Sequence, residues 1–173
     1  MSDLVRRLGP LAFASRLKRL SDRLYRDMSR VYAELDTDFE SRWFLVLYLL
    51  AEQSPLGVTD VADRLGLTHP AVNQIVGAMS RHRLVHSRRD PTDERRRLLS
   101  LTPGGRRLFE RLRPVWQIVS EKSRDAMTES GLDWIEALDR LEAVLDERSM
   151  YERVSTALRR DAKANPARRR SSR

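Results

Sequence analysis

There is no cysteine among the 173 residues. That excludes disulfides, thiolate metal sites and thiol-based redox sensing as mechanisms. No apolar run approaches the ~20 residues a membrane-spanning helix needs. The apolar part of the opening MSDLVRR is too short for a secretory signal peptide. A cytoplasmic protein with no membrane partner is expected. No internal repeat, glycine-rich phosphate loop or nucleophile–base set is present. The histidines are His69, His82 and His86. The last two are four apart, but a helix-to-strand boundary is expected between them, and no nearby carboxylate completes a metal set. No enzyme activity, metal or cofactor is expected.

What the chain does have is unevenly placed charge. The net charge is +8, yet residues 1–80 sum to zero. Residues 81–97 carry seven basic and three acidic side chains, and the last fifteen carry seven and one. The high pI is therefore largely a tail effect and a poor argument for any partner. The body has one basic focus, RRDPTDERRR, beginning at Arg88.

Apolar periodicity sets out the elements. Phe13, Leu17, Leu20, Leu24, Met28, Val31 and Leu35 recur in steps of three and four, predicting a helix over about 10–36. It exceeds the mean helix of ~3 turns, so something outside its own domain should cover it. A second helix is expected after Asp38 as N-cap, burying Phe39, Trp43, Val46, Leu47 and Leu50. Ser54-Pro55-Leu56-Gly57 ends it.

Thr59 can cap a short third helix, with Gly66 suited to the left-handed position after it. Thr68 can cap a fourth, with Pro70 in its first turn. Two short helices separated by about three residues around a glycine form a helix-turn-helix pattern. Strands are expected over Leu84–Arg89 and Arg95–Leu101, with a turn at Asp90-Pro91-Thr92-Asp93. Thr102-Pro103 then starts a long helix. Ser130-Gly131 separates it from a last one, read as continuing through Val154 and Leu158. The tail, 159–173, is expected to be basic and disordered. The fold class is mainly α with a small β-hairpin.

An α-helix fits the major groove of B-DNA, its first residues reaching base edges. With Val72, Ile75, Val76 and Met79 turned inward, His69, Pro70, Asn73 and Gln74 face outward. Asn and Gln can each contact adenine bidentately, and Gly77 leaves room for close approach. In the hairpin, Asp93 lies two residues before Arg95 and can orient its guanidinium. A projecting arginine fits a narrow minor groove. Arg96 and Arg97 would then lie near phosphates. A solvated charge run and a merely exposed helix face are the competing readings of these two stretches.

Residues 93–105, DERRRLLSLTPGG, hold Asp93, Arg95, Leu99, Leu101, Thr102 and Gly105 in the pattern D-x-R-x-x-x-L-x-L-T-x-x-G. This resembles the wing signature of the MarR family of bacterial winged-helix regulators. VTDVADRLGLTHPAVNQIVGAMSRHRLV resembles that family's helix-turn-helix, and the likeness covers roughly residues 10–150. It implies a winged helix-turn-helix over about 38–102. It also implies dimerisation helices over about 10–36 and 103–158 that interlock in a homodimer. Double-stranded DNA is the implied partner, bound at a pseudo-palindrome and usually for repression.

Members are often released by small aromatic ligands held between the dimer region and the DNA-binding lobe. Phe39, Trp43, Tyr48 and Trp116 are the residues considered for such a pocket, although aromatics at this spacing equally suit a core. Thr59, Thr68, Ser80, Arg81, Arg88, Arg96 and Arg97 are the phosphate candidates. The sequence departs from the family where Glu94 replaces a frequent basic residue and Arg83 a frequent glycine. A low-specificity architectural DNA-binding protein of the same fold is the alternative reading.

Overall fold

Asp3 opens the described chain by accepting the Val5 backbone N–H at the start of a one-turn helix, α1 (Leu4–Arg7). This is a computed structural model, and it describes residues 3–93 and 96–164. Pro10 lies in a 3-10 turn, Gly9–Ala12, so the long helix α2 starts at Phe13 and runs Phe13–Glu34. Of its 22 residues only Tyr32 is buried.

Asp38 does not cap the next helix. Phe39 turns into the core instead, edge-on to Tyr32 at 4.9 Å and to Trp43 at 5.9 Å between ring centroids. The chain completes a 3-10 turn, Ser41–Trp43, before α3 (Phe44–Gln53) begins. Packing of these three rings sets the entry that a carboxylate cap was expected to set.

Next come β1 (Leu56–Gly57), α4 (Val58–Leu65), α5 (His69–Arg81), β2 (Val85–Arg89) and β3 (Arg97–Leu101). The expected hairpin is thus part of a three-stranded antiparallel sheet of order β1-β3-β2. Leu56 pairs with Leu99 and Gly57 with Leu98, while Val85 pairs with Leu101 and Arg89 with Arg97. Paired residues share a face, and β3 puts Leu99 and Leu101 on the buried one. Trp43 from the 3-10 turn, Leu47 and Leu50 from α3, Val61 from α4, and Val72 and Met79 from α5 complete this core, all fully buried.

Helix α6 spans Pro103–Glu129, followed by α7 (Trp134–Glu147) and α8 (Met150–Ala164). The expected last helix is two, because Arg148 is extended and Ser149 opens a new cap. Ser149 Oγ accepts from Glu152 N at 3.2 Å, and Glu152 Oε2 accepts from Ser149 N at 2.9 Å. Helix α8 also runs to Ala164, so residues 159–164 are helical, not part of a disordered tail. Residues 165–173 lie outside the described ones.

The chain divides into two compact units, 1–114 and 115–173. In the second, neither α7 nor α8 buries a single residue. No helix among the described residues is long and apolar enough to cross a membrane.

Candidate nucleic-acid interface

The two short helices are tied together through local chemistry. Gly57 precedes α4, and its N–H donates to Asp60 Oδ2 at 2.8 Å. That carboxylate at the third helical position does the capping expected of Thr59, which sits inside the first turn and is exposed. Gly66 ends α4 at φ +61°, in the left-handed region, and Leu67 N closes on Ala62 O at 2.9 Å. Thr68 caps α5 as expected, its Oγ1 accepting from Ala71 N at 3.3 Å.

Helical period then sorts α5 into two faces. Val72, Val76, Ala78 and Met79 are buried. His69, Pro70, Asn73 and Gln74 are all exposed, and Ser80 and Arg81 continue the same ribbon two turns on. Between them Gly77 faces open space, with no atom within 4 Å of the point where a Cβ would stand. The ribbon presents amide, imidazole and hydroxyl groups on a helix whose other side is locked into the core.

The wing is closed at its base by backbone bonds. Asp90 N donates to Arg96 O at 3.0 Å and Arg96 N to Asp93 O at 2.9 Å. The Asp90 carboxylate accepts from Thr92 N at 2.9 Å and from its hydroxyl at 2.7 Å, which holds it below the usual carboxylate range. Glu94 and Arg95 lie outside the described residues, and with them the expected Asp93–Arg95 pairing. Arg88 is exposed on β2. Arg97 is exposed too, but its Nε donates across the ladder to Ser87 Oγ at 3.0 Å. Arg96 turns its guanidinium to Asp60 rather than outward.

Sequence reasoning overlooked Asp60. An acid three residues past a helix-breaking glycine was the available signal.

Residues 37–96 match the sequence model of the MarR family. The match lies on the winged lobe and covers 60 of the 173 residues. No curated protein sequence gives a significant match. Among solved structures, the chain resembles the Streptomyces coelicolor transcriptional regulator PcaV, crystallised with its natural ligand. Identity is 23%, coverage 88% of this chain and 100% of that one, and the TM-score 0.60. A MarR variant from E. coli in complex with operator DNA gives 21% identity, 84% and 98% coverage, and a TM-score of 0.61. The S. aureus MepR–DNA complex gives 20%, 78% and 94%, and 0.58. At these identities the likeness establishes the winged-helix fold.

The MarR wing signature has a structural reading here. Thr102 N donates to Leu84 O at 2.9 Å, and its hydroxyl donates to Arg83 O at 2.6 Å while accepting from Gly105 N at 3.0 Å. A Cβ on Gly105 would overlap the Leu84 carbonyl oxygen and lie 3.1 Å from its carbon. The last two positions of the signature thus weld α6 to the start of the wing. Arg83, where MarR proteins often have glycine, adopts φ +56°. It follows the end of α5, with Leu84 N bonded back to Met79 O at 2.9 Å, the geometry of a left-handed helix stop.

A cleft of about 340 Å³ opens beside the winged lobe's core, within residues 1–114. Phe39, Trp43 and Leu84 give it apolar walls, and His82, Arg107, Arg111 and Asp38 give it polar ones. Two of the four aromatic residues considered for a pocket line it. Tyr48 does not, because it packs against Phe44 and Phe109. Trp116 does not either, and belongs to the second unit. Arg107 and Arg111 were missed because on α6 they read as ordinary solvated charge. Trp43 is fully buried, and its Nε1–H has no acceptor among the described residues.

Proposed function

We propose that the chain is a homodimeric transcriptional regulator that reads a pseudo-palindromic operator, represses transcription there and is released by a small anionic aromatic ligand. The observation that carries DNA reading is the exposed ribbon of α5 on a rigid winged lobe. In this reading Asn73 and Gln74 contact bases, and His69 and Pro70 border the groove at the helix entry. Arg95, oriented by Asp93, enters the minor groove. Thr59, Thr68, Ser80, Arg81, Arg88 and Arg97 meet phosphates. Preference over random duplex should be on the order of 4–10 kcal/mol.

Dimerisation is supported by uncovered apolar surface. Leu20 and Leu24 of α2 are exposed, as are Ile135 and Val144 of α7 and Val154 and Leu158 of α8. Helices of 14 and 15 residues with no buried side chain do not hold themselves in water. Effector binding is supported by the cleft, whose size suits one substituted ring. Two arginines and a histidine against one aspartate favour an anion.

Selection from random duplexes followed by a shift assay tests the DNA reading. Two half-sites about 10 base pairs apart are expected. Gln74→Ala should relax preference at one position per half-site, whereas a uniform loss would make Gln74 a phosphate contact. Binding spread over many unrelated duplexes would favour the architectural protein instead.

A further inference from the structure

Three elements converge on the side chain of Arg96. Its Nη2 donates to Asp60 Oδ2, the same oxygen that accepts from Gly57 N. Gly57 is itself a β1 residue paired with Leu98 of β3. A Cβ there would stand 2.8 Å from Arg96 Nε and 3.2 Å from Nη2, so the guanidinium packs against Gly57 and a larger residue there would displace it. The Gly57 N–H and then the Arg96 guanidinium hold Asp60 below the usual carboxylate range, keeping it charged. Arg64, on the next turn of α4, adds a second positive field at Asp60 and bonds Gln53.

Position gives this pair a purpose. The apolar anchors of β3, Leu99 and Leu101, fix only the inner part of the ladder. At its outer end Arg89 faces Arg97, a like-charged pair that loosens the strands. Arg96 lies just beyond, where its backbone closes the turn. Its side chain is 45% exposed and that of Asp60 31%, so the ion pair adds little to global folding. What it can do is hold the outer wing against the first helix of the helix-turn-helix.

We propose that Arg96 is a positioning residue: paired with Asp60 over Gly57, it sets the placement of the wing relative to α4 and α5, and it does not serve as a phosphate contact. This rests on the DNA-binding reading above.

The test uses the full chain, with Asp60→Asn, Arg96→Gln, the double variant and Arg96→Lys. Asparagine can still accept the Gly57 N–H, so the α4 cap survives. Each single variant should weaken binding to the selected duplex about tenfold, the double no more than either single, and Arg96→Lys should restore part of the loss. The slope of log affinity against log salt should not change. A phosphate role gives the opposite pattern. Arg96→Gln would then lower the slope by about 0.9 for each phosphate it no longer neutralises. Asp60→Asn, which removes a negative charge beside the DNA, would leave affinity the same or higher. Either result, or additive losses in the double variant, overturns the proposal.

Amide hydrogen exchange of residues 86–100 in the free protein separates this proposal from the DNA reading. Faster exchange there in both singles, at a wild-type unfolding midpoint, supports the latch even if no duplex binds. Unchanged exchange overturns it even if DNA binding is normal.

Discussion

Gly105→Ala is the substitution that most directly tests the junction of wing and α6. In an ordinary helix first turn, Gly to Ala stabilises by up to about 1 kcal/mol. Here the new methyl would overlap the Leu84 carbonyl oxygen and sit 3.1 Å from its carbon, and both are backbone atoms that no rotamer change can move. Relief requires the start of α6 to shift, at a cost of about 1–3 kcal/mol for overpacking. The same shift pulls Thr102 N from Leu84 O and its hydroxyl from Arg83 O, at about 1 kcal/mol for each bond broken. Net of the propensity gain, destabilisation of about 2–4 kcal/mol is expected.

Its neighbour supplies the control. A Cβ on Gly104 would meet Thr102 Oγ1 at 3.5 Å and Arg83 O at 3.6 Å, which is ordinary contact. Gly104→Ala should therefore be neutral or slightly stabilising. Thermal unfolding at one fixed protein concentration reads both, with Gly105→Ala lowered by roughly 5–15 °C for a chain of this size. If Gly105→Ala melts at or above Gly104→Ala, the steric account of this glycine is wrong.

Arg83→Gly should stabilise by about 0.5–1 kcal/mol, since it removes a side chain from φ +56°; a lower urea midpoint would mean that Arg83 makes a contact worth more than the strain. Arg107→Gln or Arg111→Gln should weaken binding of benzoate-type ligands about tenfold or more by calorimetry, and wild-type affinity in both would remove the cleft as the anion site. Folding holds the carboxyl of Asp90 low, so the stability it supplies is complete above the unfolded carboxylate range and is lost as pH falls through its folded value. Urea midpoints should drop below about pH 4, and Asp90→Asn should flatten that drop; an identical acid profile in the variant would refute the assignment.

What the sequence disclosed was local chemistry. Gly66, Thr68, Leu99, Leu101 and Thr102 stand where spacing and turn preferences put them, because each is decided by neighbours within a few residues. What it hid was set by partners distant in sequence. Two residues of β1 carry no alternation, and they are a strand only because β3 lies beside them. The start of α3 is set by Phe39 meeting Tyr32, not by the carboxylate one residue earlier. Asp60 and Arg96 are 36 residues apart, and nothing in either segment announces the other. Arg107 and Arg111 stay exposed on α6, and only the fold shows that they border a cleft with Phe39 and Trp43.

The division of α5 into two faces has a consequence for how such a lobe changes its preference. Val72, Val76 and Met79 take the inward positions, and Asn73, Gln74 and Gly77 the outward ones. Asn73 and Gln74 are exposed and take no part in the core, so these base-reading side chains can be exchanged at little cost in folding. The wing differs, because Arg96 and Gly57 tie its placement to the body of the lobe. Substitutions on α5 should therefore alter which sequence is read. Substitutions at Gly57, Asp60 or Arg96 should alter how well any sequence is held, leaving the order of preference among half-sites as it was.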